Sequence, residues 1–145
     1  MVAVIFATIR FIIQKKLIIM KPKILFVLCL LVGLLFVNAG LDKFFHYMPV
    51  PKDMPEKAAK AGMAFMTIGW ILPLVGAAEL IGGLLLIFKK TRALAAVILV
   101  PIITGILLAN ISMAPQGLPI VAVIIAVIVW VIADNWSKYL PMINE

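Results

Sequence analysis

Cysteine, histidine and negative charge are scarce in this chain. Among 145 residues there is one Cys, one His and six Asp plus Glu. A lone Cys29 excludes an internal disulfide, a CxxC redox pair and a cysteine-rich metal site. A lone His46 excludes bis-histidine haem ligation and any multi-histidine centre built from this chain alone, so no metal is expected. There is no Ser-His-Asp set, no phosphate-binding P-loop and no GxGxxG. Charged residues of both signs make up 13%, against about 25% in soluble domains. Hydrophobic residues make up 66%, more apolar surface than a soluble chain of this length can hide. An ordinary soluble domain and a disordered chain are thereby excluded, and the length allows one compact domain. The net charge is +7, but the cations are scattered over short loops and helix ends and form no basic face. Nucleic acid is therefore not an expected partner. The lipid bilayer is.

The charges that are present delimit the apolar runs. Ile24–Leu41 is uncharged, Ala61–Phe88 carries only Glu79, and Ala93–Ala133 carries none. A helix crossing a ~30 Å hydrocarbon core needs about 20 residues. The first two runs hold one span each. The third holds two, with a turn in Asn110–Pro119, where Asn, Ser, Gly and two prolines gather. The expected fold is all-α: an integral membrane four-helix bundle with helices near 24–44, 64–88, 93–110 and 119–137. The Val- and Ile-rich last run reads as helix, because in lipid the backbone must satisfy its own hydrogen bonds. Residues 48–60 read as a polar loop or short surface helix, with a helix start at Asp53-x-Pro55-Glu56.

Orientation follows from the cations. Arg10, Lys15, Lys16, Lys21, Lys23, Lys89, Lys90, Arg92 and Lys138 fall on one side. Lys43, Lys52, Lys57 and Lys60 fall on the other, partly offset by Asp42, Asp53 and Glu56. Both termini are expected in the cytoplasm, in the inner membrane of a prokaryote. Trp130, Trp136 and Tyr139 fit an aromatic belt at that face, and Phe44, Phe45 and Tyr47 one at the other. Residues 1–19 read as an extension to a single domain over 20–145. Met20-Lys-Pro-Lys is a normal opening for a helix anchored inside, so Met20 is the expected initiator. The alternative is a short interfacial helix on the anionic inner leaflet.

Glu79 is the strongest single signal, since an ionisable group that deep in a span is costly and faces the protein interior. Gly69, Pro73, Gly76 and Gly83 form a small-residue stripe on its side of the helix, which lets a neighbouring helix approach. Pro73 predicts a kink there. The structural alternative is a protonated Glu79 that hydrogen-bonds across helices. Its candidate partners are Asn38, closest in depth, and Lys43, with a stem long enough to reach inward. Thr104 and Asn110 are weaker candidates, Asn110 reading as a helix end. Gly33-x4-Asn38 and Gly105-x4-Asn110 echo each other. Cys29 reads as a small buried hydrophobe, and His46 as an interfacial polar residue.

Taken in order, Asn38-Ala-Gly40-Leu-x-Lys43-Phe, Glu79-Leu-x-Gly82-Gly83-x-Leu-Leu and a cationic turn with Arg92, followed by two apolar helices, resemble the DoxX family of small four-helix membrane proteins. The resemblance covers about Ile24 to Trp136. It implies Asn38, Gly40, Lys43, Glu79, Gly82, Gly83 and Arg92 as pattern residues, none of them assigned to catalysis. It also implies an association with quinone-linked and redox-stress systems, and it supports Met20 as the start.

Three functions stay open. The first is an accessory or quinone-linked subunit of a membrane redox system, with quinone as ligand, electrons from a redox partner subunit and Glu79 as proton donor. The second is a small-solute or proton permease gated by Glu79. The third is a scaffold that holds partners through 42–60. A homo-oligomer through Ala122, Ala126 and Ala133 would offer a close-packing face on the last helix.

Overall fold

The structure, a computed structural model, describes residues 2–142, with side chains at Thr8 and from Lys21 onward. Six α-helices follow in order: α1 Val2–Phe45, α2 Glu56–Ile68, α3 Ile71–Ile87, α4 Arg92–Met113, α5 Leu118–Asp134 and the single turn α6 Trp136–Tyr139. Short 3-10 turns cover Pro115–Gly117 and Leu140–Met142. No strand occurs among the described residues. The chain is an all-α membrane bundle.

By length and composition, Lys21–Phe45, Arg92–Met113 and Pro115–Asp134 can each cross a bilayer. The expected single helix over 64–88 is replaced by two helices. α2 and α3 meet at a bend of 98°, and the pair counts as the fourth span only if taken together. The cause is local. Gly69 has φ +80, a left-handed conformation that costs glycine little, and its N–H donates to Phe65 O, ending α2. Pro73 then falls in the first turn of α3, where a missing N–H breaks no intrahelical bond. A proline expected to kink one helix thus sits just inside a new one. α1 is also longer than expected, starting at Val2 rather than near 24. The side chains of Arg10, Lys15 and Lys16 lie outside the described residues.

α1 ends where His46 takes φ 52. Its N–H donates to Asp42 O, and the N–H of Met48 donates to the Asp42 carboxylate at 2.6 Å. At the opposite end, Arg92 and Thr91 close α3. Arg92 Nε donates to Leu86 O at 3.1 Å, and Thr91 Oγ1 donates to Leu85 O at 2.7 Å. These bonds satisfy carbonyls that a helix end leaves open, and the cation complements the helix dipole. The guanidinium also stands 5.7 Å over the Phe26 ring of α1, and Tyr139 OH donates to Ala93 O at 2.9 Å. The start of the first span, the α3–α4 turn and the segment after α5 therefore share one end, which collects Lys21, Lys23, Lys89, Lys90, Arg92 and Lys138.

The core lies toward that end, where Cys29 and Phe36 of α1 meet Leu86, Leu99 of α4 and Val131 of α5. Most other large apolar side chains face outward, as Leu31, Leu74, Leu108 and Val129 do. A surface this apolar is stable against lipid. α1 and α3 are antiparallel and unusually close. A Cβ at Gly40 would lie 2.6 Å from Gly76 O, and one at Gly83 would lie 2.7 Å from Gly33 O.

Candidate functional site

α1 and α3 bring Lys43 against Glu79. Lys43 Nζ donates to Glu79 Oε2 at 2.5 Å and to Ala39 O at 3.4 Å. The Glu79 side chain is 3% exposed and that of Lys43 is 24% exposed. Close approach of the two backbones makes the pair: Gly76, one turn before Glu79, packs against Gly40 O and Lys43 Cβ. A side chain at either glycine would push the helices apart and separate the charges.

Beside the pair lies a cavity of about 470 Å³. α3 lines it with Ile71, Leu72, Val75 and Glu79, a set spaced for one helix face. α4 supplies Pro101, Ile102, Gly105, Ile106 and Ala109. Phe65 of α2 closes one end, so the bend at Gly69 brings the surface helix over the site. A Cβ at Gly105 would meet nothing within 4 Å, which leaves the wall open at that point. Pro101, Gly105 and Ala109 are exposed on the outside of the bundle, so the cavity faces the hydrocarbon between α3 and α4.

The site can hold an apolar molecule with a hydrogen-bonding head. Two contacts engage Lys43 Nζ, and an ammonium has a third N–H to offer. Among the described residues Glu79 Oε1 has no partner. It is not a buried orphan either, so it is open to the cavity. A partly exposed donor and a nearly buried acceptor thus stand side by side on an otherwise apolar wall.

Asn38 is not brought to this site. It is exposed, its Oδ1 accepts from Tyr47 OH at 2.5 Å, and its amide lies 3.4 Å from Met48 sulfur. Gly40 and Gly83 serve the α1–α3 contact. Gly82 faces the other way, where a Cβ would lie 2.6 Å from Leu99 on α4. Arg92 is buried at the far end and closes α3. Thr104 and Asn110 both turn to their own helix, donating to Val100 O and Ile106 O. Asn110 lies inside α4, which runs on to Met113. Ala122, Ala126 and Ala133 are exposed on α5, away from the cavity. Among the described residues, no three His, Cys, Asp or Glu lie close enough together to hold a metal ion.

Apart from Lys43 and Glu79, sequence reasoning missed the cavity lining, Pro101, Ala109 and Phe65 among it, and Gly105 appeared only in the echo with Gly33. The signal for α4 is the spacing Pro101-x3-Gly105-x3-Ala109, one small or ring-closed residue per turn on one face. Phe65 carries no comparable signal, because its place depends on the bend.

The family model DoxX matches residues 24–111, more than half of the chain. No curated protein and no solved structure matches. The matched segment contains Lys43, Glu79 and all of the cavity lining.

Proposed function

The chain belongs to the DoxX family, and from that premise we propose that it is a quinone-linked accessory subunit of a membrane redox system. The observation that carries this reading is the Lys43–Glu79 pair on the wall of an apolar cavity that faces lipid. Quinone travels in the hydrocarbon and needs a lateral opening, apolar walls and a polar group at a carbonyl. Lys43 donates a hydrogen bond to a carbonyl oxygen. Glu79, through Oε1, gives or takes one of the two protons that accompany two-electron transfer, and the other exchanges with the aqueous phase. Quinone, when bound, supplies the two-electron couple, and the electrons come from a partner subunit. Aqueous permeation fits less well, because the lining is apolar apart from these two side chains.

The same reading places the chain in the inner membrane of a prokaryote, with the Lys89–Lys90–Lys138 end in the cytoplasm, as the bias of cations requires. A cytoplasmic reporter fused after residue 145 is then active and a periplasmic one silent. The opposite pattern reverses the orientation.

The test of function is quinone binding. The full chain is purified in mild detergent, and its lipid extract is examined for co-purifying quinone. A short-tailed ubiquinone analogue is then titrated against it. Expected is saturable binding that weakens at least ten-fold in Lys43→Met. Absence of both co-purified quinone and saturable binding rejects the proposal.

A further inference from the structure

On the face of α4 that turns to α5, a second apolar depression runs along the bundle. Two adjoining hollows of about 310 and 320 Å³ meet at Val100 and Ile132, which line both, and are taken together as one groove. It follows α4 from Ala96 to Leu107, which at 1.5 Å per residue is ~16 Å. One leaflet of a ~30 Å hydrocarbon core has nearly that depth. Along its length the groove offers no free hydrogen-bonding group, since Thr104 Oγ1 donates to Val100 O and Tyr139 OH donates to Ala93 O; among the described residues that line it, the one free donor is the indole N–H of Trp136 at its end.

One end of the groove is different. Trp136 and Tyr139 form its mouth, in the position that amphipathic rings take at a membrane interface. Lys138 is exposed between them in sequence, and Lys89 and Lys90 are exposed on the turn that leads into Ala93. Among the described residues, Asp134 is the one exposed acid close by in sequence. Three lysines against one aspartate favour an anionic headgroup.

We infer that this groove is a binding site for one anionic phospholipid, its acyl chain lying between α4 and α5 from Trp136 toward Leu107 and its phosphate facing Lys138. The site is separate from the Lys43–Glu79 cavity and shares no lining residue with it. The competing occupant is a second copy of the chain, packed through the adjacent Ala122 and Ala126.

The experiment is native mass spectrometry of the delipidated full chain with equal amounts of phosphatidylglycerol and phosphatidylcholine of identical acyl chains. Expected is a monomer that retains one phosphatidylglycerol in preference to phosphatidylcholine. Lys138→Gln lowers that preference about five-fold, the weight of one lysine near an anionic surface, while retaining a chain. Val100→Trp, at the junction of the two hollows, lowers retention of both lipids. Lys138 is exposed and leaves the fold intact, so its result stands even if the tryptophan variant misfolds. Equal retention of the two lipids, an unchanged preference in Lys138→Gln, or a dimer free of lipid would each overturn the assignment.

Discussion

Gly83 of α3 lies with its backbone against Gly33 of α1, so close that a Cβ on Gly83 would stand 2.7 Å from Gly33 O. Seven residues along each helix, Gly76 and Gly40 repeat the contact. The obstructing atoms are backbone and cannot swing aside. Gly83→Ala is therefore expected to destabilise the bundle by about 1–3 kcal/mol through overpacking. Gly62→Ala, on α2 with nothing within 4 Å, is expected to stabilise by about 0.5–1 kcal/mol. Melting temperatures in detergent should move in opposite directions.

Glu79 separates a structural from a functional carboxyl. Glu79→Gln keeps the shape and one hydrogen bond to Lys43, a bond worth ~0.6 kcal/mol on average in membranes, and removes only the charge, so the bundle should stay folded. The amide cannot carry a proton, so function should fall. Glu79→Leu leaves Lys43 with only its 3.4 Å bond to Ala39 O and no counter-charge, at about 1–3 kcal/mol, toward the lower figure because Lys43 is a quarter exposed. Adding Lys43→Met should recover part of that loss. Detergent stability is measured beside growth complementation under oxidative or sulfur stress. Full complementation by the Gln variant would sink the functional reading.

Gly105 offers a way to fill the cavity without disturbing the pair. Gly105→Ala should raise stability by about 0.8–1 kcal/mol from helix propensity alone. Gly105→Leu reaches into the cavity and should weaken quinone-analogue binding at least ten-fold while melting normally. Unchanged binding in the Leu variant would place the ligand elsewhere.

Tyr139 predicts an alkaline transition. Burial pushes its phenol above the ordinary value. Only the neutral phenol donates to Ala93 O. A folded value above the unfolded one means that the contribution is full below the unfolded value and is lost as pH rises through the folded one. Wild type should therefore melt above Tyr139→Phe by a constant gap at neutral pH, and the gap should close above about pH 10. A gap that persists unchanged to pH 11 contradicts the assignment.

The first, α4 and α5 spans and the gathering of cations at one end were legible in the sequence, because each rests on hydropathy and on where charge stops. The break at Gly69–Trp70 was not. Apolar residues continue across it from Met63 to Leu74, and hydropathy does not register backbone direction. Depth along the helix made Asn38 a candidate partner for Glu79, but depth ignores azimuth. Asn38 is two residues from Gly40, about 200° around the helix, and Gly40 faces α3. Lys43 is three residues on, about 60° from Gly40, and so meets Glu79. The same wheel, drawn on α1 as well as on the second span, separates the two candidates.

The bend at Gly69–Trp70 leaves α3 with 17 residues, ~25 Å of helix against a ~30 Å hydrocarbon core. The shortfall of ~5 Å falls at the α2 end, the same end as Lys43 and the cavity. Lipid beside a short helix thins to match it, at a fraction of a kcal/mol per Å. If α3 alone crosses the core, the fold carries its own hydrophobic mismatch, and the protein is expected to melt higher in thin bilayers than in thick ones.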